Sequence, residues 1–131
     1  DVLNQHNLFD PALIKDINYE QQEEEIYKAI IEFKNNPDKV DAIFFCSRRV
    51  FITGMKYMHK EGIKISEEID VVCFDKIDSF SIANIPFNFI EQPIKDLGEK
   101  AVDILMNQIN GENTINQYLL EAQIRRHAQY E

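Results

Sequence analysis

Apolar positions along the chain alternate between spaced stripes and short unbroken runs. In NYEQQEEEIYKAIIEFK, residues 18–34, Ile26, Ile30 and Phe33 recur at i, i+4 and i+7, the signature of an amphipathic helix. Asn18 with Gln21 three residues on has the spacing of a capping box. Acids crowd the first half of this segment, Glu23 to Glu25, and Lys28 and Lys34 the second, as the helix dipole favours. The turn residues Asn35-Asn36-Pro37-Asp38 then stop it. A run with no helical spacing follows at 40–46, VDAIFFC, and predicts a short buried strand.

SRRVFITGMKYMHKE, 47–61, returns to helical spacing, with Phe51, Met55 and Met58 on one stripe, Ser47 as N-cap and Gly62 as the C′ residue. Residues 69–74, IDVVCF, form the next strand, and 87–90 a third after a loop ending in Ile85-Pro86. Pro93 opens another helix, where its missing N–H removes no bond. Ile94, Leu97, Ala101, Leu105 and Ile109 give that helix an apolar face, and Asn110-Gly111 ends it. Tyr118, Leu120, Ala122 and Ile124 alternate with Leu119, Glu121, Gln123 and Arg125, which predicts a closing strand.

This order implies βαβ units: an α/β fold with a parallel sheet flanked by helices on both sides. In such sheets ligands bind beyond the carboxyl ends of the strands. Those ends carry Ser47-Arg48-Arg49, Asp75-Lys76 and Glu91-Gln92-Pro93, and Asn18 and Tyr19 precede the first helix near the same mouth. Hydroxyl, carboxylate, amide and cation together suit a polar small molecule. Each residue also has a plainer reading. Asp75-Lys76 reads as a strand-ending turn, Ser47 as a helix cap alone, and Glu91-Gln92 as surface residues introducing a helix. The Phe51-Met55-Met58 stripe reads as core or subunit contact rather than a cofactor site. Arg48 and Arg49 stand out, because cations in the first turn of a helix are disfavoured by ~0.3–1 kcal/mol each. Solvation, pairing of one with Asp75, or an anionic group of a ligand on Arg48 would offset that.

Composition narrows the picture. The 131 residues make one domain or a piece of one, and 44% apolar residues suffice for a core. The chain opens on DVLNQHNLFDPAL without an initiator methionine, which reads as the interior of a longer protein. A net charge of −9 repels phosphate backbones, so DNA binding by this segment itself is not expected. No apolar stretch has the length of a membrane span. Cys46 and Cys73 lie in separate apolar runs and read as free thiols, and His6, His59 and His127 are scattered, so no metal or other cofactor is expected.

Residues 69–111, IDVVCFDKIDSFSIANIPFNFIEQPIKDLGEKAVDILMNQING, resemble the C-terminal part of the lactose/galactose repressor family of bacterial transcription regulators. The resemblance rests on Phe74-Asp75, Pro86, Gln92-Pro93 and Leu97-Gly98-Glu99-Lys100-Ala101-Val102 in that order. Upstream, DAIFFCSRRVFITGMKYMHKEGIKISEEIDVVCFD is similar to the family's strand, polar pair, helix, glycine turn and strand, and AQIRR to its last strand; the match spans roughly residues 8 to 127. It implies the periplasmic binding protein-like type I fold, present here as a fragment of a two-lobed effector domain. Residues 1–86 and 115–131 would form most of the C-terminal lobe, 87–112 would cross to the N-terminal lobe, and the DNA-binding head would be absent. It also implies a cytoplasmic homodimer that reaches operator DNA only through the missing N-terminal domain, and a small-molecule, sugar-like effector.

Carried over by position, Asp75 matches the family's carboxylate for ligand hydroxyls, Gln92 lies near the cleft-lining tip, and Tyr19 or Asn18 matches a region that offers an aromatic or polar contact. The family's Asn-Asp pair is Ser47-Arg48 here, the usual glycine before the aromatic-Asp pair is Cys73, and the usual second Asp is Lys76. An arginine where an acid normally stands implies a charged effector or none. The helix 48–61 and loop 77–83 match regions that meet across the family's dimer interface, making Ile52, Met55, Lys56 and Ile82 the candidate subunit contacts.

Three other readings compete. A transport-linked periplasmic sugar-binding protein shares the fold and would need a secretory leader. A receiver domain phosphorylated on Asp75 would need acids for Mg²⁺ at an earlier strand tip, where Ser47-Arg48-Arg49 stands. An enzyme built on Asp75 and Glu91 would need a nucleophile–base arrangement that the sequence does not offer, so no enzymatic activity is expected.

Overall fold

The computed structural model describes residues 2–38, 40–77, 85–112 and 117–126. Its helices are α1 (Val2–Gln5), α2 (Gln22–Lys34), α3 (Arg48–Lys60) and α4 (Ile94–Ile109); its strands are β1 (Ala42–Phe45), β2 (Asp70–Phe74), β3 (Asn88–Glu91) and β4 (Gln123–Arg125). The helix predicted from residue 18 begins at Gln22, because Tyr19–Gln21 winds as a tighter 3-10 turn. Asn18 caps that turn, its side-chain oxygen accepting from the Glu20 N–H at 3.0 Å. The reciprocal partner of the cap is Glu25 rather than Gln21: its Oε2 accepts from the Asn18 N–H at 2.5 Å. α3 starts and stops as its sequence predicts, with Ser47 Oγ accepting from the Val50 N–H at 3.3 Å and Gly62 just past the end at φ 69°.

The strands form one sheet in the order β1-β2-β3-β4. β1 pairs parallel with β2, and β2 parallel with β3, whereas β4 returns antiparallel beside β3. Register places Phe45, Cys73 and Phe89 side by side, all three buried. Together with Ile43 and Val71 they form the inner face, against which α2 sets Ile26 and Ile30 and α3 sets Phe51, Met55 and Met58. Phe51 and Met58 are wholly enclosed, and burying such side chains stabilises by ~1.5–3 kcal/mol each. Phe51 meets Phe45 edge-on at 5.6 Å and Phe87 at 4.8 Å, which locks α3 to the sheet.

The expectation of helices on both faces is not met among the described residues. Phe44, on the outer face, is 52% exposed, and α4 buries no side chain. The reason is the connection: α4 leads from β3 into an antiparallel strand, so it is no βαβ crossover and nothing forces it across the sheet. No helix among the described residues is long and apolar enough to cross a membrane.

Candidate functional site

Three parallel strands deliver their carboxyl ends to one edge of the sheet, and a cavity of about 670 Å³ lies there. Asp75 enters it directly from β2 and Gln92 from β3, and both line it. The β2–β3 ladder carries one bond beyond β2, the Asp75 N–H donating to the Ile90 carbonyl at 3.1 Å. Across the two exits, Gln92 Nε2 donates to Asp75 Oδ1 at 2.5 Å. Asp75 adopts φ 112°, a conformation uncommon for a residue with a Cβ. Such backbone persists only where its surroundings over-determine it, as the two bonds to β3 and its exit do.

Arg48 lines the same cavity from the first turn of α3. Among the described residues no hydrogen bond or ion pair engages its guanidinium. Asp75 is taken by Gln92, and Glu91, also in the lining, accepts from Arg125 Nε at 2.8 Å. Around the cavity the cations Arg48, Lys76, Lys95 and Arg125 match the carboxylates Asp75, Glu91, Asp96 and Glu121 in number, on a chain of net charge −9. The cleft is therefore the less anionic part of an acidic molecule. Beneath it the Cys73 thiol is pushed up to about 12, by burial first and then by Asp75, with Arg48 acting the other way. It stays a neutral thiol under the strand tips.

The six residues read as a ligand set divide in the structure. Asp75, Gln92 and Arg48 share the cavity. Ser47 is not in its lining and spends its hydroxyl on capping α3, and Asn18 spends its side-chain oxygen on the turn before α2. Tyr19 lines a second cavity, of about 420 Å³, with Arg49. There the Arg49 guanidinium lies 4.3 Å from the Tyr19 ring centre and Nη1 donates to the phenolic oxygen. That stack offsets the helix-dipole penalty on Arg49, and no partner does so for Arg48. Lys95 and Arg125, which also line the first cavity, were not among the expected site residues. Arg125 had no visible signal, since its place depends on β4 folding back on β3. Arg49, expected at the strand-end mouth, lines the second cavity instead.

Of the expected subunit contacts, Ile52 and Lys56 are at the surface, Met55 is in the core at 4% exposure, and Ile82 lies outside the described residues. Burial removes Met55 as a contact residue on this surface. Lys56 already reaches Glu23 within the chain at 3.4 Å. Among the described residues no three His, Cys, Asp or Glu side chains are grouped to hold a metal ion.

Residues 3–127 match the family model of the periplasmic binding protein-like domain. The HTH-type transcriptional repressor CytR of Escherichia coli strain K12 is 26% identical over 86 residues, 66% of this chain and 25% of that protein. A LacI family transcriptional regulator from Enterococcus faecium with bound ribose superposes with a TM-score of 0.74 at 19% identity, over 95% of this chain and 46% of the other. A sugar-binding transcriptional regulator of the LacI family from Escherichia coli, complexed with phosphate, gives 0.73 at 19% identity over 96% and 45%. The chain spans about a quarter of the curated relative and under half of either solved structure.

Proposed function

The chain belongs to the periplasmic binding protein-like domain family in the form that LacI-type regulators carry, and we propose that it is the effector-sensing and dimerisation part of a bacterial transcription regulator. The observation that carries this reading is the shared cavity of Asp75, Gln92 and Arg48, supplied by successive strand exits. A carboxylate held by an amide is an acceptor for a ligand hydroxyl, and an unpaired guanidinium beside it is a donor for an anion. The proposed effector is a sugar or an anionic sugar derivative. Ribose in one structural neighbour and phosphate in another are in keeping with those two halves.

The crossing expected over 87–112 starts only after β3, because Phe87 packs on Phe51 and Asn88–Glu91 pairs with β2 in this sheet; in the intact protein residues 1–91 and 115–131 belong to the C-terminal lobe and 92–112 cross to the other. The wholly surface-lying α4 supports this, since Ile94 and Ile109 on its apolar face are 64% and 68% exposed and await a cover. Effector closes the cleft between the lobes, and Ile52 and Lys56 of α3 contribute to a dimer contact. A ligand that binds one lobe arrangement better shifts the population toward it, and the dimer transmits that shift to DNA-binding heads upstream. Such a protein acts in the cytoplasm, on operator DNA.

Calorimetry on the intact protein with ribose and ribose 5-phosphate tests the reading. Asp75→Ala weakens both, by roughly 10- to 100-fold if a charge-assisted hydrogen bond is lost. Arg48→Ala weakens the phosphate ester far more than the neutral sugar. Unchanged affinity in Asp75→Ala removes Asp75 from the site, and equal losses for the two sugars in Arg48→Ala defeat the anion-binding role.

A further inference from the structure

We infer that Gln92 is a positioning residue for Asp75: it holds Oδ1 so that the carboxylate presents Oδ2 alone to a ligand hydroxyl, and it contributes to binding through Asp75 rather than by its own contact. The inference rests on the reading of the cavity as an effector site.

Its basis is the way Asp75 is tied. Its N–H is on the Ile90 carbonyl at 3.1 Å and its Oδ1 on Gln92 Nε2 at 2.5 Å, so main chain and side chain are both referred to β3 and its exit. Among the described residues nothing donates to Oδ2. Gln92 is itself fixed. Pro93 follows at φ −78°, and the Gln92 carbonyl accepts from the Ile94 N–H at 2.9 Å, so the amide leaves a turn that cannot swing without unwinding the start of α4. Both side chains are half-buried, where a rotor-free carboxylate is retained rather than re-formed by each binding event.

The chemistry of the partner matters as much as its position. A lysine or arginine at this place would orient Asp75 by neutralising it. A primary amide orients it and leaves the full negative charge on the oxygen offered to the ligand, which keeps a hydroxyl contact charge-assisted. Gln92 also holds no charge of its own to compete with the cation at Arg48 for an anionic group.

The test is a double-mutant cycle in the intact protein with ribose as probe. Gln92→Ala is expected to lower affinity about 10-fold, the scale of one hydrogen bond to a charged group. In an Asp75→Ala background the same substitution is expected to change nothing further. Losses that multiply show Gln92 touching the ligand and overturn the inference. Gln92→Glu sets two carboxylates together, so its ribose affinity is expected to recover as the pH is lowered and Glu again donates a hydrogen; a pH-independent loss counts against positioning. Thermal melts of the same four proteins without sugar give an independent reading: separate losses that exceed the combined loss support the contact, and additive losses overturn it. If the wild-type protein binds neither ribose nor ribose 5-phosphate while the melts show coupling, it is the effector reading that falls and the Gln92–Asp75 tie that stands.

Discussion

Gly54 of α3 lies directly against the ring of Phe45 in β1. A Cβ built on Gly54 would sit 2.4 Å from Phe45 Cε1 and 2.7 Å from Cζ. Glycine inside a helix loses ~0.5–1 kcal/mol relative to alanine, so its presence in the middle of α3 reflects close approach rather than helix preference. Phe45 has no room to retreat, since it packs edge-on against Phe51 within the core. Gly54→Ala is therefore expected to destabilise by ~1–3 kcal/mol despite its better helix propensity. Urea denaturation of the two proteins measures it, and a stabilised variant would mean that Phe45 yields freely to an added methyl group.

Much of this arrangement is legible in the sequence because it is local. The α3 stripe, its Ser47 cap and Gly62 stop, and the strand tips at Asp75 and Gln92 all follow from spacing and turn residues over a few positions. What is not legible is non-local. Nothing around Arg125 shows that it meets Glu91, because the antiparallel return of β4 is set by the sheet as a whole. Nothing around Met55 distinguishes a residue facing α2 from one facing a second subunit, since both surfaces demand an apolar side chain. The Asn18–Gln21 spacing suggests a capping box, yet the 3-10 turn shifts the partner to Glu25, about one helical turn further on, which short-range spacing does not resolve.

Asp75 occupies positive-φ backbone, so its two smallest replacements should separate its chemical from its conformational role. Asp75→Gly relieves the backbone and Asp75→Ala retains the strain, a difference of ~1 kcal/mol, at the low end for such positions. Both variants lack the carboxylate and should lose sugar affinity alike. Chemical denaturation with matched calorimetry checks this. Equal stabilities would mean that the Asp75 backbone is not strained.

Stability should fall on acidification through two surface carboxylates. Glu61 is held below the usual carboxylate range by the hydrogen bond from Tyr27 (3.0 Å) and then by Lys34 (3.3 Å), and Glu32 by Lys15 at 2.7 Å. Because the folded values lie below the unfolded ones, their contribution is complete above the unfolded carboxylate range and is lost as pH falls through the folded values. Melting temperature should decline as the pH falls below the ordinary carboxylate range, and Lys34→Met should flatten part of that decline. A decline that is the same with and without Lys34 would leave the Glu61 cluster without a share in it.

The two thiols should differ sharply in reactivity. Cys46 is exposed, whereas Cys73 is buried between Phe45 and Phe89 in register and its thiol is raised to about 12. Thiolate is the reacting species, and near neutral pH Cys73 supplies almost none. Brief alkylation of the native protein, mapped by mass spectrometry, should mark Cys46 alone, with Cys73 reacting only in denaturant. The same shift carries a sign for stability: the folded value exceeds the unfolded one, so the contribution is full below about pH 9 and is lost as pH rises toward about 12. Cys73→Ala removes the titrating group, so its alkaline decline should be shallower than the wild type's even though the cavity lowers its stability at neutral pH. Parallel declines in the two proteins would show that Cys73 does not govern the alkaline limb.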